Sequence, residues 1–229
     1  MLRAIAIVAT AVLFAAPAQA LISLDAFDQG WYNDVGDHGP DNINTFTGFN
    51  GANVFHSFYA FDLASVGGTA TSATLEFLPD IGSYNSTDPS EIVRIWDVTT
   101  PTATLLAGGG GLGAYDDLGA GVALSGPVEV FGTFGSPMPG FSVGLNGDGL
   151  AAVNAAIGGN ILFGAALDNL IPGSGVEGLW AFSENPPAAR LMLDVDAGPP
   201  SSEIPVPAAM PLALGAFAAL GWAARRRQG

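Results

Sequence analysis

The 229-residue sequence has no cysteine and no lysine; its cations are six arginines and its only imidazoles are His38 and His56. Without cysteine there is no disulfide, no thiolate metal ligand and no thiol nucleophile. Six arginines against 21 acidic residues give a formal charge of −15. That excludes nucleic acid as a partner, because phosphate contacts need a dense basic surface. Serine-hydrolase chemistry also has little to work with. Ser57 adjoins His56, but adjacent side chains in an extended strand point to opposite faces, so the two cannot act together. Charged residues are scarce at 12%, whereas 32 Gly and 16 Pro suit short strands joined by tight turns better than a helical bundle. The Gly-rich stretch 107–113 lacks the Lys and Ser/Thr of a phosphate cradle and reads as a flexible surface loop.

Four of the six arginines lie at the two ends: Arg3, Arg225, Arg226 and Arg227. Arg3 precedes an apolar run over residues 4–16, then Pro17, Ala18, Gln19 and Ala20. A basic start, a short apolar stretch and an Ala-x-Ala site at Ala18 and Ala20 predict a signal helix. Signal peptidase would remove it after Ala20, with export across the inner membrane. At the other end a polar linker, residues 198–205, leads to Val206, Pro207 and Pro211, and an apolar run then ends in the three arginines. Residues 208–224 are 17 in number, the lower limit for a membrane-spanning helix rising about 1.5 Å per residue. Pro211 falls in its first turn, where a missing N–H costs little. The arginine cluster stays cytoplasmic under the positive-inside rule, leaving the acidic body outside.

This tail, residues 206–229, resembles the PEP-CTERM sorting signals, in particular the Val-Pro-Leu-Pro-Ala variant. The matching residues are Val206, Pro207, Ala208, Ala209, Met210 and Pro211, a match to the pattern and not to the letters. The resemblance implies processing by an exosortase-type transpeptidase in a Gram-negative bacterium. The membrane is then a partner through the C-terminal helix before processing, and the body ends at the cell surface or in the extracellular space. Such proteins accompany exopolysaccharide and biofilm production.

Residues 21–203 carry all 21 acids and only Arg94 and Arg190, a formal charge of −19. No internal repeat or linker divides them, so residues 21–197 read as one β-sandwich domain. Alternating apolar positions with β-branched or aromatic residues predict strands at 54–63, 71–78, 91–98, 128–133, 140–145, 160–167, 178–182 and 190–195. One stretch, 146–159, reads as helix, with Asp148 as N-cap, Gly158 as C-cap and Leu150, Val153 and Ile157 on one face. The expected fold is all-β: a two-sheet, jelly-roll-like β-sandwich with one short crossover helix, flanked by the N-terminal signal helix and the C-terminal membrane helix. Phe58, Phe61, Asp62 and Leu63, then Ala73, Thr74, Leu75 and Phe77, resemble the opening of DNRLRE-type jelly-roll domains. The later strands at Val93, Trp96, Ile161 and Arg190 follow in the same order, although the eponymous string is absent. That resemblance spans residues 25–196 and implies a fold similar to carbohydrate-binding jelly rolls.

Two sets of residues carry candidate binding chemistry. Asp25, Asp28, Asp34, Asp37 and Asp41, interleaved with Gly30, Asn33, Gly36, Gly39 and Asn42, offer hard oxygen ligands on a turn-rich segment. Their spacing is not that of an EF-hand. Asp194 or Asp196 would complete a calcium site if the first and last strands are neighbours. Trp31, Tyr32, Tyr84 and Tyr115 fall in expected loops and are candidates for stacking on sugar rings, whereas Trp96 and Trp180 are expected in the core. Carboxylate pairs such as Asp116 and Asp117 keep glycoside hydrolysis chemically open, although a solvated loop is the expected setting for that pair. The leading expectation is a noncatalytic, exported surface or matrix protein binding extracellular polysaccharide, with calcium the candidate cofactor. The competing one is a secreted polysaccharide-degrading enzyme, a lyase or glycosidase, on the same scaffold.

Overall fold

The computed structural model describes residues 19–79, 82–171, 173, 175–181 and 187–196. Ala18, the sorting residues Val206, Pro207, Pro211, Arg225, Arg226 and Arg227, and both expected terminal helices lie outside these residues. Among the described residues no helix is long and apolar enough to cross a membrane.

In chain order the strands are β1 (Gln19–Asp25), β2 (Asp28–Asn33), β3 (Thr45–Phe49), β4 (Val54–Asp62), β5 (Thr69–Phe77), β6 (Ser83–Tyr84), β7 (Ser90–Asp97), β8 (Val128–Phe131), β9 (Ser136–Pro137), β10 (Phe141–Gly144), β11 (Asn160–Leu167), β12 (Glu177–Ala181) and β13 (Ala189–Asp196). Three short helices accompany them: α1 (Thr102–Leu106), α2 (Gly111–Leu118) and α3 (Gly147–Ala156). A four-stranded antiparallel sheet has the order β1-β13-β5-β10. A nine-stranded antiparallel sheet has the order β8-β7-β11-β4-β3-β12-β6-β9, with β2 also paired to β4.

The two-residue strand period puts one side of each sheet inward. β13 buries Ala189, Leu191, Leu193 and Val195, while β7 buries Val93 and Ile95. With Tyr59, Phe61, Leu75, Phe163 and Val153 these form the main core of an all-β sandwich. β4 differs because both of its faces are apolar. Tyr59 and Phe61 enter the main core, whereas Phe58 and Ala60 face the other way into a second cluster with Tyr32, Leu105, Ala114, Leu118 and Leu162.

That second cluster explains two helices the sequence did not suggest. The segment expected as a flexible loop ends in α2, whose Gly111 and Gly113 lower its intrinsic helicity. Burial of Ala114 and Leu118 on the outer face of β4 and β11 overrides that propensity. Asp117, expected in a solvated loop, is instead a helix residue that anchors α2. Its carboxylate accepts from the Thr99 and Thr100 amides at 2.9 and 2.7 Å and from both hydroxyls at 2.8 and 2.7 Å. Burial would raise the Asp117 carboxyl, but these hydrogen bonds outweigh it and hold it below the usual range. α3 lies where it was expected, but its N-cap is Asn146, which accepts from the Gly149 amide at 2.9 Å. Asp148 sits in the first turn, where its charge suits the helix dipole. β1 begins at Gln19, so Gln19 and Ala20 pair with Asp196 and Val195, two positions ahead of the expected cleavage point.

The approach of α2 to β11 is close enough to exclude a side chain. A Cβ on Gly164 would sit 2.4 Å from the Leu118 carbonyl oxygen. Gly164→Ala is expected to cost about 1–3 kcal/mol through overpacking. Gly126→Ala, which has nothing within 4 Å, should leave the melting midpoint unchanged. Differential scanning calorimetry of the two variants checks this.

Candidate functional site

The four aromatics expected to stack on sugar do not form one platform. Tyr32 and Tyr84 are both 0% exposed, which corrects the expectation for them. Each phenol meets a backbone carbonyl inside the fold: Tyr32 donates to Leu105 at 2.6 Å and Tyr84 to Asp88 at 2.9 Å. With the hydroxyl satisfied, the ring can be buried at no polar cost. Burial, with the charge of Glu91 nearby, pushes the Tyr84 hydroxyl up to about 12. Tyr115 is partly exposed but gives one face to His56, with ring centres 4.2 Å apart and planes 5° from parallel. Trp96, expected in the core, points outward on β7 with the Arg94 guanidinium 5.7 Å from its ring centre.

Trp31 remains, and the fold gives it different company. It projects from β2 toward Phe55 of β4, and Phe55 in turn meets Phe46 of β3. The centroid distances are 5.0 and 5.3 Å and both contacts are edge-on, so the rings form walls at right angles. With Asn42, Asn44, Thr45 and Asn50 they line a groove of about 240 Å³. Two of the asparagines use their carbonyl oxygens to shape the rim. Asn42 accepts from the Asn44 amide at 3.1 Å, and Asn50 accepts from the Ala52 and Asn53 amides, both at 2.9 Å. Both carboxamide NH2 groups then serve as donors at the rim. No titratable residue is among the groove's described lining residues, so this arrangement can stack and hydrogen-bond a neutral polyol but supplies no acid or base.

The aspartates expected to hold calcium are spread apart. β1 and β13 are indeed neighbours, but antiparallel, with Asp25 opposite Arg190 and Gln19 opposite Asp196. Six residues of strand, about 20 Å at 3.4 Å each, therefore separate Asp25 from Asp196. The same length of β2 separates Asp28 from Asp34. Asp25 is ion-paired with Arg190 at 2.7 Å, and Asp194 accepts from the Ser72 hydroxyl at 2.6 Å beside an irregularity in the β13–β5 ladder. The turn carrying Asp34 and Asp37 is closed by Asn33, whose side chain accepts from the amides of Val35 and Asp37 at 3.2 and 2.7 Å. Asp41 lies exposed further along the same connection. Among the described residues, three carboxylates come together at one place: Asp88, Glu91 and Glu177.

Sequence reasoning missed Phe46, Phe55, Asn44 and Asn50 as groove residues and Glu91 and Glu177 as a cluster. The asparagines at 42, 44, 50 and 53 flanking a Phe-containing strand were the available signal for the groove. For the cluster it was Glu91, in phase with Val93 and Ile95 on the inward face of a clear strand. Ser57 and His56 lie on opposite faces as expected, with Ser57 accepting from the Thr47 hydroxyl at 2.8 Å in the core. Compared with protein-family models and with curated proteins, the chain matches none.

His56 gives the fold a pH response. Burial holds its imidazole below the usual value, and this outweighs the Tyr115 carbonyl and the charges of Asp116 and Asp34, which favour the cation. The folded state therefore prefers neutral His56. Stability is lost as pH falls from the unfolded value of about 6.5 through the lower folded one. His38 is shifted in the same direction by burial. Acidification from about pH 7.5 to about pH 5 should lower the melting midpoint of the parent chain more than that of His56→Gln, read by thermal unfolding at each pH.

Proposed function

We propose that this chain is an exported, noncatalytic surface or extracellular-matrix protein of a Gram-negative bacterium. Its PEP-CTERM-type tail is processed by an exosortase-type transpeptidase, and its jelly-roll body binds a neutral extracellular polysaccharide. The observation that carries the reading is the groove of Trp31, Phe46 and Phe55 rimmed by asparagine amides. Aromatic faces take the C–H face of a sugar ring, and amide groups take its hydroxyls. At about 240 Å³ the groove is smaller than the ~300–1,000 Å³ pockets that hold drug-sized ligands, which suits one sugar unit of a chain. Neutrality follows from charge. The body has two arginines, Arg94 and Arg190, and both are committed to ion pairs, with Asp168 and Asp25. An anionic polymer would meet a strongly acidic surface with no cation to offset it.

Two measurements test the parts separately. On a glycan array the full-length chain should retain neutral glycans, and Trp31→Ala should bind them at least tenfold more weakly, about 1.4 kcal/mol. Release of new reducing or unsaturated ends from those glycans would overturn the noncatalytic reading. For the tail, deletion of residues 204–229 should remove the chain from the surface fraction of cells, and unchanged surface display would remove the role assigned to it.

A further inference from the structure

Asp88, Glu91 and Glu177 come from three separate pieces of the chain: the segment between β6 and β7, the start of β7 and the start of β12. One carboxylate oxygen from each lies within 4.8 Å of the other two. Glu91 is 0% exposed and Glu177 1%. Glu91 points into this cluster from the inward face of β7, and neither of its carboxylate oxygens reaches water or a hydrogen-bond partner. A buried carboxylate with no partner is costly, and two more carboxylates beside it raise the cost. Burial is the main cause that pushes the Glu91 carboxyl up, and Glu177 and Asp88 add to it against the nearby polar side chains of Ser86 and Asn169. A proton on Glu91 would remove one charge and leave Glu177 and Asp88 facing each other. The body's arginines cannot help, because Arg94 pairs with Asp168 and Arg190 with Asp25.

We propose that Asp88, Glu91 and Glu177 bind one calcium ion. The ligand set is all oxygen, as a hard cation requires, with the buried Ser86 hydroxyl close by. Hydration selects the ion. Mg2+ gives up its waters reluctantly and keeps several of them, whereas Ca2+ takes about six to eight oxygens in a flexible geometry. Three carboxylate oxygens within 4.8 Å of one another can meet on one ion, and closure to water on the Glu91 side suits the ion that dehydrates more readily.

The position gives the ion a structural task. The nine-stranded sheet curls until its two edges meet where β6 runs on into β7. There the Asn85 and Thr87 amides donate to Gly178 and Val176 at 2.8 and 3.2 Å, extending the pairing with β12. The Gly132 and Gly135 amides donate to Pro89 and Tyr84 at 3.2 and 2.9 Å, from the connection between β8 and β9. An ion on this seam ties β7 to β12 and fixes the connection before β12, where Ile171 donates its amide to Glu177 at 2.9 Å. The site is separate from the groove and does not depend on what the groove binds.

The test uses the full-length chain in mild detergent, stripped with chelator and titrated with CaCl2 or MgCl2. Equilibrium dialysis should find one calcium per chain, with magnesium at least tenfold weaker. The melting midpoint should rise by roughly 5–10 °C when calcium is a hundredfold above its Kd. Glu91→Gln and Asp88→Asn should both lose the stoichiometric ion. Asp88 is only partly buried, so Asp88→Asn decides the matter if Glu91→Gln does not fold. Asp34→Asn should bind as the parent does. The proposal fails if the parent holds no stoichiometric calcium, if Asp88→Asn binds it unchanged, or if Asp34→Asn is the variant that loses it.

Discussion

Strand β4 is apolar on both faces, and the other layers are arranged to keep both of them dry. Phe61 and Ala60, adjacent and pointing opposite ways, are each 0% exposed. One sheet cannot cover both sides, so the four-stranded sheet closes the inner face and α1 and α2 close the outer one. A strand of this kind is written as a nearly continuous apolar run instead of an alternation. The run from Phe58 to Phe61 is such a text. It explains why α2 exists in a segment whose glycines argue against helix, and why β2, lying beside β4, sends Tyr32 under the helices and Trp31 toward the groove.

The regular strands were legible because one covered face imposes a two-residue period. β4, β5, β7, β11 and β13 fall within a residue or two of where that period puts them. β2 was hidden by its composition. Asp28, Gln29, Gly30 and Asn33 look like turn residues, yet Gln29 is 3% exposed because its amide donates to the Ile43 carbonyl at 2.9 Å and accepts from Ala188 at 3.0 Å. Those partners lie 14 and 159 residues away, and no local pattern contains them. Tyr84 failed for a more local reason: its hydroxyl donates to the Asp88 carbonyl only four residues on, and a backbone partner leaves no mark in the side-chain pattern. The groove was half legible: Trp31 and Asn42 stood out, whereas Phe55 was one residue of an expected strand and Phe46 carried no signal of its own.

The charge of the body is distributed on a simple rule. Several acids sit at strand ends, where they accept backbone amides, as Asp62 and Asp97 do, and Asp117 accepts amides and hydroxyls from within α2. Isolated carboxylates of this sort repel weakly through water and are compatible with a formal charge of −19 on two arginines. The cluster at Asp88, Glu91 and Glu177 breaks that rule, because it gathers like charges around Glu91, whose carboxylate water does not reach. Position and not number distinguishes it from the aspartates of residues 25–41, which outnumber it and are dispersed.

The place where the sandwich hands over to the C-terminal residues also has a mechanical meaning. β13 ends at Asp196 and lies between β1 and β5, paired along its length to both. A tension applied to the chain beyond Asp196 and directed along β13 loads both ladders in shear, so many hydrogen bonds must yield together. A terminal edge strand pulled sideways would instead unzip one pair at a time. By ending on an interior strand, the sandwich has a built-in strain relief at the point where any tether would pull.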